Sequence, residues 1–252
     1  MAWLCDLDGV IWLAGEALPG AADAVAALRE AGERVVFVTN NSSVRLGDQE
    51  AALAAIGIPA AGDVLTSAQA AARLLEPGQS ALVCGGPGVV EALEARGVRV
   101  VHDGQADAVV VGFTRDFDYE LLRRAAGAVR DGARLLGTND DPTYPTPTGP
   151  IPGGGAILAA VATASGREPV VAGKPFAPMA ELARALVGDG PHTVVGDRPS
   201  TDGRFARELG ARFVLVLTGV TTAHDLPVDP SPDVVADSFG LLVAAEGYQR
   251  AS

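Results

Sequence analysis

The chain alternates short, continuous apolar runs with stretches in which apolar residues recur every three or four positions, the pattern of buried parallel strands separated by helices. Trp3-Leu4-Cys5 opens it as a strand. A helix over 19–31 follows, where Ala21, Ala24, Val25, Leu28 and Ala31 fall at helical spacing and Gly32 supplies the stop. Val35-Val36-Phe37-Val38 is a β-branched run bounded by polar residues and predicts a strand buried on both faces. A helix over 47–56, a strand at Val64-Leu65 and a helix over 67–75 continue the series until Glu76-Pro77-Gly78 breaks it. A second series follows, with strands over 81–84, 98–101, 108–112 and 134–136 and helices over 88–95 and 118–130. Asn139-Asp140-Asp141-Pro142-Thr143-Tyr144-Pro145 then begins a loop rich in Pro, Gly and Thr that runs to Gly155. The first series resumes with strands over 170–172, 193–195, 213–217 and 234–236 and helices over 178–187, 202–209 and 238–246. This order predicts an α/β fold, a doubly wound and mostly parallel sheet over 1–77 and 168–252, with a separate α/β unit over 78–167 inserted in it.

Composition agrees with a packed fold and narrows the partners. At 252 residues the chain suits one large domain or two modest ones, and 48% apolar residues argue against disorder. A net charge of -12 argues against nucleic acid or an anionic membrane as partner. No run of 18 apolar residues is present to span a bilayer. An acidic chain that handles an anionic ligand must reverse its field locally, with a metal ion, a lysine or helix N-termini. Cys5 and Cys84 lack metal-type spacing and read as reduced core residues, and the start runs directly into a strand without a leader pattern. A cytoplasmic protein is expected.

The candidate chemistry lies at strand ends. Asp6 and Asp8 share one face at the end of the first strand, where Gly9 releases the backbone. Alone, such a motif is equally an acidic strand end that caps a turn, and Thr39-Asn40-Asn41-Ser42-Ser43, read alone, is better explained as a turn with an N-cap. Lys174 and the pair Asp197/Asp202 close two further strands, and in open parallel sheets such ends converge on one crevice. Together they suit phosphoryl transfer. A carboxylate can accept the phosphoryl group, hard oxygens suit magnesium, a lysine and a hydroxyl position phosphoryl oxygens, and a second carboxylate can move protons.

The four segments Asp6-Leu7-Asp8-Gly9-Val10, Val38-Thr39-Asn40-Asn41, Gly173-Lys174-Pro175 and Gly196-Asp197-Arg198-Pro199-Ser200-Thr201-Asp202 resemble, in order and spacing, the four motifs of the haloacid dehalogenase superfamily of phosphatases. The resemblance covers essentially the whole chain. It implies a Rossmann-like core and a magnesium-dependent phosphatase in which Asp6 is the nucleophile and Asp8 the general acid and base. It also implies that Thr39 and Lys174 hold phosphate, and that magnesium is bound by Asp6, Asp197 and the main-chain carbonyl of Asp8, with Asp202 behind them. Asp6 and Thr39 stand 33 positions apart, whereas Thr39 and Lys174 stand 135 apart, about 90 beyond ordinary crossover lengths. The insert therefore falls in the later slot, which with Asn40-Asn41-Ser42 and Asn139-x-Asp141-Pro142 resembles the type-IIA branch and its C2 cap.

In that reading Asn40, Asn41, Asn139 and Tyr144 contact a small phosphorylated metabolite, with Phe113 as a further cap candidate and loop 139–149 touching the leaving group. Tyr144 as a buried core aromatic stays open. A haloalkanoate dehalogenase would not need Asp8 or Asp197. A phosphomutase or other phosphotransferase is the nearer rival, and a catalytically idle phospho-ligand-binding module would be expected to have lost one of Asp6, Asp8, Lys174 or Asp197, all of which are present. His102, His192 and His224 lie away from the four strand ends and receive no role. A homodimer is allowed, since a dimer patch on the cap would read as ordinary apolar surface.

Overall fold

Parallel strands buried on both faces need apolar side chains at every position, and the four residues of the first strand, Ala2–Cys5, are all buried. The computed structural model describes residues 1–13, 15–144, 146 and 149–248. In chain order it runs β1 (Ala2–Cys5), β2 (Trp12–Leu13), β3 (Glu16–Ala17), α1 (Ala21–Glu30), β4 (Arg34–Thr39), α2 (Leu46–Ala55), β5 (Val64–Thr66), α3 (Ser67–Ala72) and β6 (Ser80–Cys84). It continues through α4 (Pro87–Ala95), β7 (Arg99–Val101), β8 (Ala108–Val111), α5 (Tyr119–Arg130), β9 (Arg134–Gly137), β10 (Thr143–Tyr144), β11 (Ile151–Pro152), α6 (Gly154–Ser165) and β12 (Val170–Val171). It ends with α7 (Ala177–Val187), β13 (His192–Gly196), a π-helical turn at Pro199–Gly203, α8 (Arg204–Leu209), β14 (Arg212–Val216), a 3-10 turn at Ala223–Asp225, β15 (Val234–Ala236) and α9 (Phe239–Ala245).

Contacts divide the chain into two units. The first comprises Met1–Thr39, Gly47–Leu65 and the chain from Lys174 onward. Its sheet has the order β15-β14-β13-β1-β4-β5, with β1 paired parallel to both β13 and β4, so that Cys5 lies opposite Val195 and Phe37. The chain leaves β1 for β4 on one side and later returns to β13 on the other, so the strand order reverses at β1, the position at which such sheets open a crevice. Trp3, Leu4, Phe37 and Phe213 are fully buried, and Trp3 meets Phe239 of α9 edge-on at 6.4 Å.

The second unit comprises Asn40–Leu46 and Thr66–Gly173. Its five-stranded sheet, β12-β9-β8-β6-β7, is parallel, and Leu82, Val109, Val111, Val129, Leu158 and Val161 form its core with α5 and α6. The contact division falls at 39/40, 46/47, 65/66 and 173/174, where the sequence reading set its boundaries at 77/78 and 167/168.

Two elements differ from expectation. Strand 170–171 does not resume the first sheet. It pairs with β9, Val170 opposite Leu136 and Val171 opposite Gly137, because it still belongs to the inserted sheet. Helix α6 has no counterpart among the expected elements, since the sequence reading runs the loop through Gly153-Gly154-Gly155 and assigns no element to 156–165. Those glycines instead let the helix start lie against the preceding loop: a Cβ on Gly155 would stand 2.2 Å from the Asp140 carbonyl oxygen. The short hairpins β2/β3 and β10/β11 are likewise additions. Of the loop 139–149, Pro145, Pro147 and Thr148 lie outside the described residues.

Candidate active site

In the first unit, β1 delivers Asp6 one residue past its end, still held to the sheet by Asp6 N donating to the Val195 carbonyl at 2.9 Å. Asp6 Oδ1 accepts from Leu7 N at 2.8 Å and from Lys174 Nζ at 2.8 Å, which fixes the carboxylate from two sides. Lys174 is 2% exposed and its Nζ also donates to Asp202 Oδ1 at 2.8 Å. A buried ammonium is tolerable only when paired, and here it has two carboxylates. They hold its proton on, raising its pKa above the ordinary lysine value against the opposing effect of burial.

Asp197 and Asp202 both follow β13, from Gly196 to the π-helical turn. Asp202 is used on both oxygens, Oδ1 by Lys174 and Oδ2 by Arg198 N at 3.1 Å. Its side chain packs where a Cβ on Gly196 would stand, 2.2 Å away, so Gly196 is required by that close approach. Asp197 accepts from Val220 N at 2.6 Å on Oδ2, whereas Oδ1 is buried with no hydrogen-bond partner among the described residues. Oxygens of Asp6, Asp197 and Asp202 lie within 4.8 Å of one another. Burial first, and then the charge of Asp202, push Asp197 up to about 6. Burial likewise raises Asp6 well above the usual carboxylate range, with Lys174 opposing.

An unpartnered buried carboxylate oxygen beside two more carboxylates is a donor set of hard oxygens that fits magnesium or calcium. Asp197 offers the free ligand atom. Asp202, with both oxygens engaged, fits the role of counter-ion to Lys174, though its carboxylate stands in the same cluster.

Asp8 sits in the tight turn 7–12, where Gly9 N donates to the Trp12 carbonyl at 2.7 Å and Trp12 N to the Leu7 carbonyl at 3.1 Å. Burial raises its pKa, with Lys174 opposing, which keeps a proton on it nearer to neutrality, as a general acid needs. Thr39 ends β4, next to β1 in the sheet, and is buried.

The other expected site residues lie in the second unit. Asn40 donates from Nδ2 to Asp141 Oδ2 at 2.9 Å, and its carbonyl accepts from Asn139 Nδ2 and from Ser67 Oγ, each at 2.8 Å. Asn41 Nδ2 donates to the Tyr144 hydroxyl at 3.3 Å, and Tyr144 is half-buried and stacked on Phe113 at 4.7 Å with rings 6° from parallel. Asn40 with Asn139, and Asn41 with Tyr144, thus tie the segment after β4 to the loop after β9 at two points. Sequence reasoning missed the segment Thr218–Thr221 beyond β14, which touches Gly9 and Asp197. Its sequence cue is weak: Leu217-Thr218-Gly219-Val220-Thr221 ends an apolar run, but a hydroxyl and main-chain N–H groups occur in every turn.

The haloacid dehalogenase-like hydrolase family matches residues 3–99, and a HAD-hydrolase-like family matches 171–242. The acid sugar phosphatase of Staphylococcus saprophyticus is 35% identical over 89% of this chain and 89% of its own. The chain belongs to the haloacid dehalogenase-like hydrolases. The D-glycerol 3-phosphate phosphatase of Mycobacterium tuberculosis is 39% identical over 88% of this chain, which spans 64% of that enzyme's length. The crystal structure of the M. tuberculosis glycerol phosphate phosphatase with magnesium superposes with a TM-score of 0.87 and 37% identity, covering 94% of this chain and 74% of that one. These haloacid dehalogenase-like relatives are phosphatases of the type-IIA branch.

Proposed function

We propose that the chain is a magnesium-dependent phosphatase that hydrolyses small phosphomonoesters through an aspartyl phosphate on Asp6. The observation that carries this reading is Lys174 held between Asp6 and Asp202 beside the unpartnered Oδ1 of Asp197, at the carboxyl ends of adjacent strands. Asp6, Asp197 and the carbonyl of Asp8 would hold the ion, which when bound neutralises phosphoryl charge and keeps Asp6 ionised. The Asp6 carboxylate attacks phosphorus and the bond to the leaving oxygen breaks. Asp8 gives that oxygen its proton and then, as carboxylate, takes a proton from the water that cleaves the acyl phosphate. Lys174 and Thr39 steady the phosphoryl oxygens, and Asp202 holds Lys174 in place.

The names of the relatives, a D-glycerol 3-phosphate phosphatase and an acid sugar phosphatase, support a substrate class of small polyol or sugar phosphates. The inserted unit, with Asn139 and Tyr144, is read as the part that selects the organic group.

The test is Asp6→Asn, nearly isosteric but a poor nucleophile. Phosphate release across glycerol phosphates, dihydroxyacetone phosphate, sugar phosphates and nitrophenyl phosphate should be nearly abolished while the fold and magnesium-dependent stabilisation of the protein persist at reduced affinity. Substantial turnover by purified Asp6→Asn would remove the nucleophile from Asp6 and with it the reading.

A further inference from the structure

Beyond the four motif segments, a fifth strand end reaches the same carboxylates. Thr218 Oγ1 donates to the Gly9 carbonyl at 2.5 Å, Val220 N donates to Asp197 Oδ2 at 2.6 Å, and Thr221 N donates to the Asp197 carbonyl at 3.3 Å. Three backbone segments therefore meet at Asp197: the turn after β1, the end of β13 and the loop after β14. They meet more closely than side chains would permit. A Cβ on Gly219 would stand 2.0 Å from Asp197 Oδ2, and one on Gly9 2.7 Å from the same atom and 2.9 Å from Gly219 Cα. Gly9 also has φ +83°, a conformation that favours glycine.

We propose that the loop Thr218–Thr221 is the positioning element of the cation site, with Thr218 as its positioning residue. The proposal rests on the reading of Asp6 and Asp197 as cation ligands. A carboxylate has two equivalent oxygens, and something must decide which faces the ion. Val220 N occupies Oδ2 and so leaves Oδ1, buried and without a donor, as the ligand atom. The Thr218 hydroxyl does the matching work on the other wall. By donating to the Gly9 carbonyl it pins the turn that carries Asp8, whose own carbonyl lies one peptide upstream, against the loop that holds Asp197. Partners of this kind set the orientation of ligands rather than bind the ion, and their removal typically weakens metal binding about 10- to 100-fold. Gly219 is needed for another reason: any side chain there would displace the Asp197 carboxylate.

The experiment measures magnesium binding to the full chain without substrate, by titration calorimetry and by magnesium-dependent thermal shift, alongside the magnesium dependence of phosphate release. Thr218→Val keeps the shape and loses the donor. It should weaken magnesium binding roughly tenfold, with the loss appearing in the magnesium constant rather than in turnover at saturating magnesium. Thr218→Ser, which restores the hydroxyl, should recover most of the parent's affinity, an outcome that a purely structural role for the threonine methyl would reverse. Gly219→Ala keeps Thr218 and should weaken binding at least as much. Should Thr218→Val fail to fold, the comparison of folded Gly219→Ala and Thr218→Ser with the parent still decides. Parent-like magnesium affinity in folded Thr218→Val, or in folded Gly219→Ala, overturns the proposal. Failure of the underlying reading looks different: Asp197→Asn would then bind magnesium as the parent does, whatever happens at Thr218.

Discussion

Lys174→Met removes the only ammonium between Asp6 and Asp202 while keeping a side chain of similar length. The lysine side chain is 3% exposed, Asp202 is 1% exposed, and both contacts are 2.8 Å. Removing one partner of a buried ion pair costs about 3–5 kcal/mol, because the remaining charge is buried and uncompensated. Against a typical total of about 5–15 kcal/mol this is a large loss. At about 2–4 °C per kcal/mol for a chain of this size, the midpoint of the transition reporting the catalytic unit should fall by roughly 6–20 °C near pH 8. The pH dependence has a definite sign. Without the lysine and without a cation, the folded variant takes up protons on Asp6 and Asp197 more readily than the unfolded chain, and so gains stability relative to the parent as pH falls. Asp197 is already pushed up to about 6. Lys174 itself holds that value down, so its loss moves proton uptake higher still; the deficit should therefore be largest at pH 8 and narrow as pH falls from there, and added magnesium should narrow it at any pH. Thermal unfolding followed by circular dichroism at pH 5 to 8 measures both trends. A variant that melts with the parent at pH 8, or whose deficit widens on acidification, would refute the claim that Lys174 compensates these carboxylates.

Asp8→Asn should slow hydrolysis of alkyl phosphates more than formation of the aspartyl phosphate from nitrophenyl phosphate, whose leaving group needs little protonation; equal losses in rapid-quench experiments would take the acid role from Asp8. Asp107 accepts from Ser80 N and Ser80 Oγ, both at 2.7 Å, and these bonds lower its pKa, so its contribution to the second unit is present above 3.8 and lost as pH falls through its folded value. Asp107→Asn should thus lower the melting point at pH 6 and converge with the parent in acid, and melting curves with the same offset at pH 2 and pH 6 would contradict it. Tyr144→Ala, which removes the ring stacked on Phe113, should raise KM for small phosphates several-fold and reorder the substrates with less effect on kcat; an unchanged ranking across the phosphate-release panel would make that ring a packing element only.

The elements most legible in the sequence were those whose chemistry is local. A β-branched run such as Val35-Val36-Phe37-Val38 can hardly be anything but a buried strand, and β4 covers it within a residue at each end. Helix α6 was equally periodic, with Ile157, Leu158 and Val161 on its buried side and Gly166 at its C-terminus. Its first turn falls at three glycines, which in sequence look like the end of a loop, whereas in the fold they allow close approach to Asp140 and Asp141. Strand pairing is not local. Val170-Val171 carries no mark of which sheet it joins, and only the contact with β9 decides it. The carboxylates of the site were visible because strand ends rarely carry such charge without use. The loop Thr218–Thr221 was not, since it contributes a hydroxyl and two main-chain N–H groups, and donors of that kind occur in every turn.

Electrostatics explains why these pieces need one another. Asp6, Asp8, Asp197 and Asp202 face the Lys174 ammonium and, for Asp8 and Asp197, the Arg198 guanidinium, which leaves two net negative charges when all four are ionised, in a chain whose formal charge is -12. Two unit charges about 4 Å apart near a protein surface interact by about 4 kcal/mol, so a phosphate dianion approaching that cluster would be turned away. The chain has two ways out. Proton uptake is one, and the upward shifts of Asp6, Asp8 and Asp197 show the site leaning toward it. For Asp8 that suits a proton donor. For Asp6 it would defeat the proposed attack on phosphorus, because a protonated carboxyl is no nucleophile. A divalent cation is the other way, and it alone lowers the negative potential while leaving Asp6 ionised. The unpartnered Oδ1 of Asp197 is where the structure leaves room for that choice, and the division of labour between two aspartates five positions apart follows from it: Asp202 spends both oxygens on holding Lys174 and the Arg198 backbone, and Asp197 keeps one in reserve.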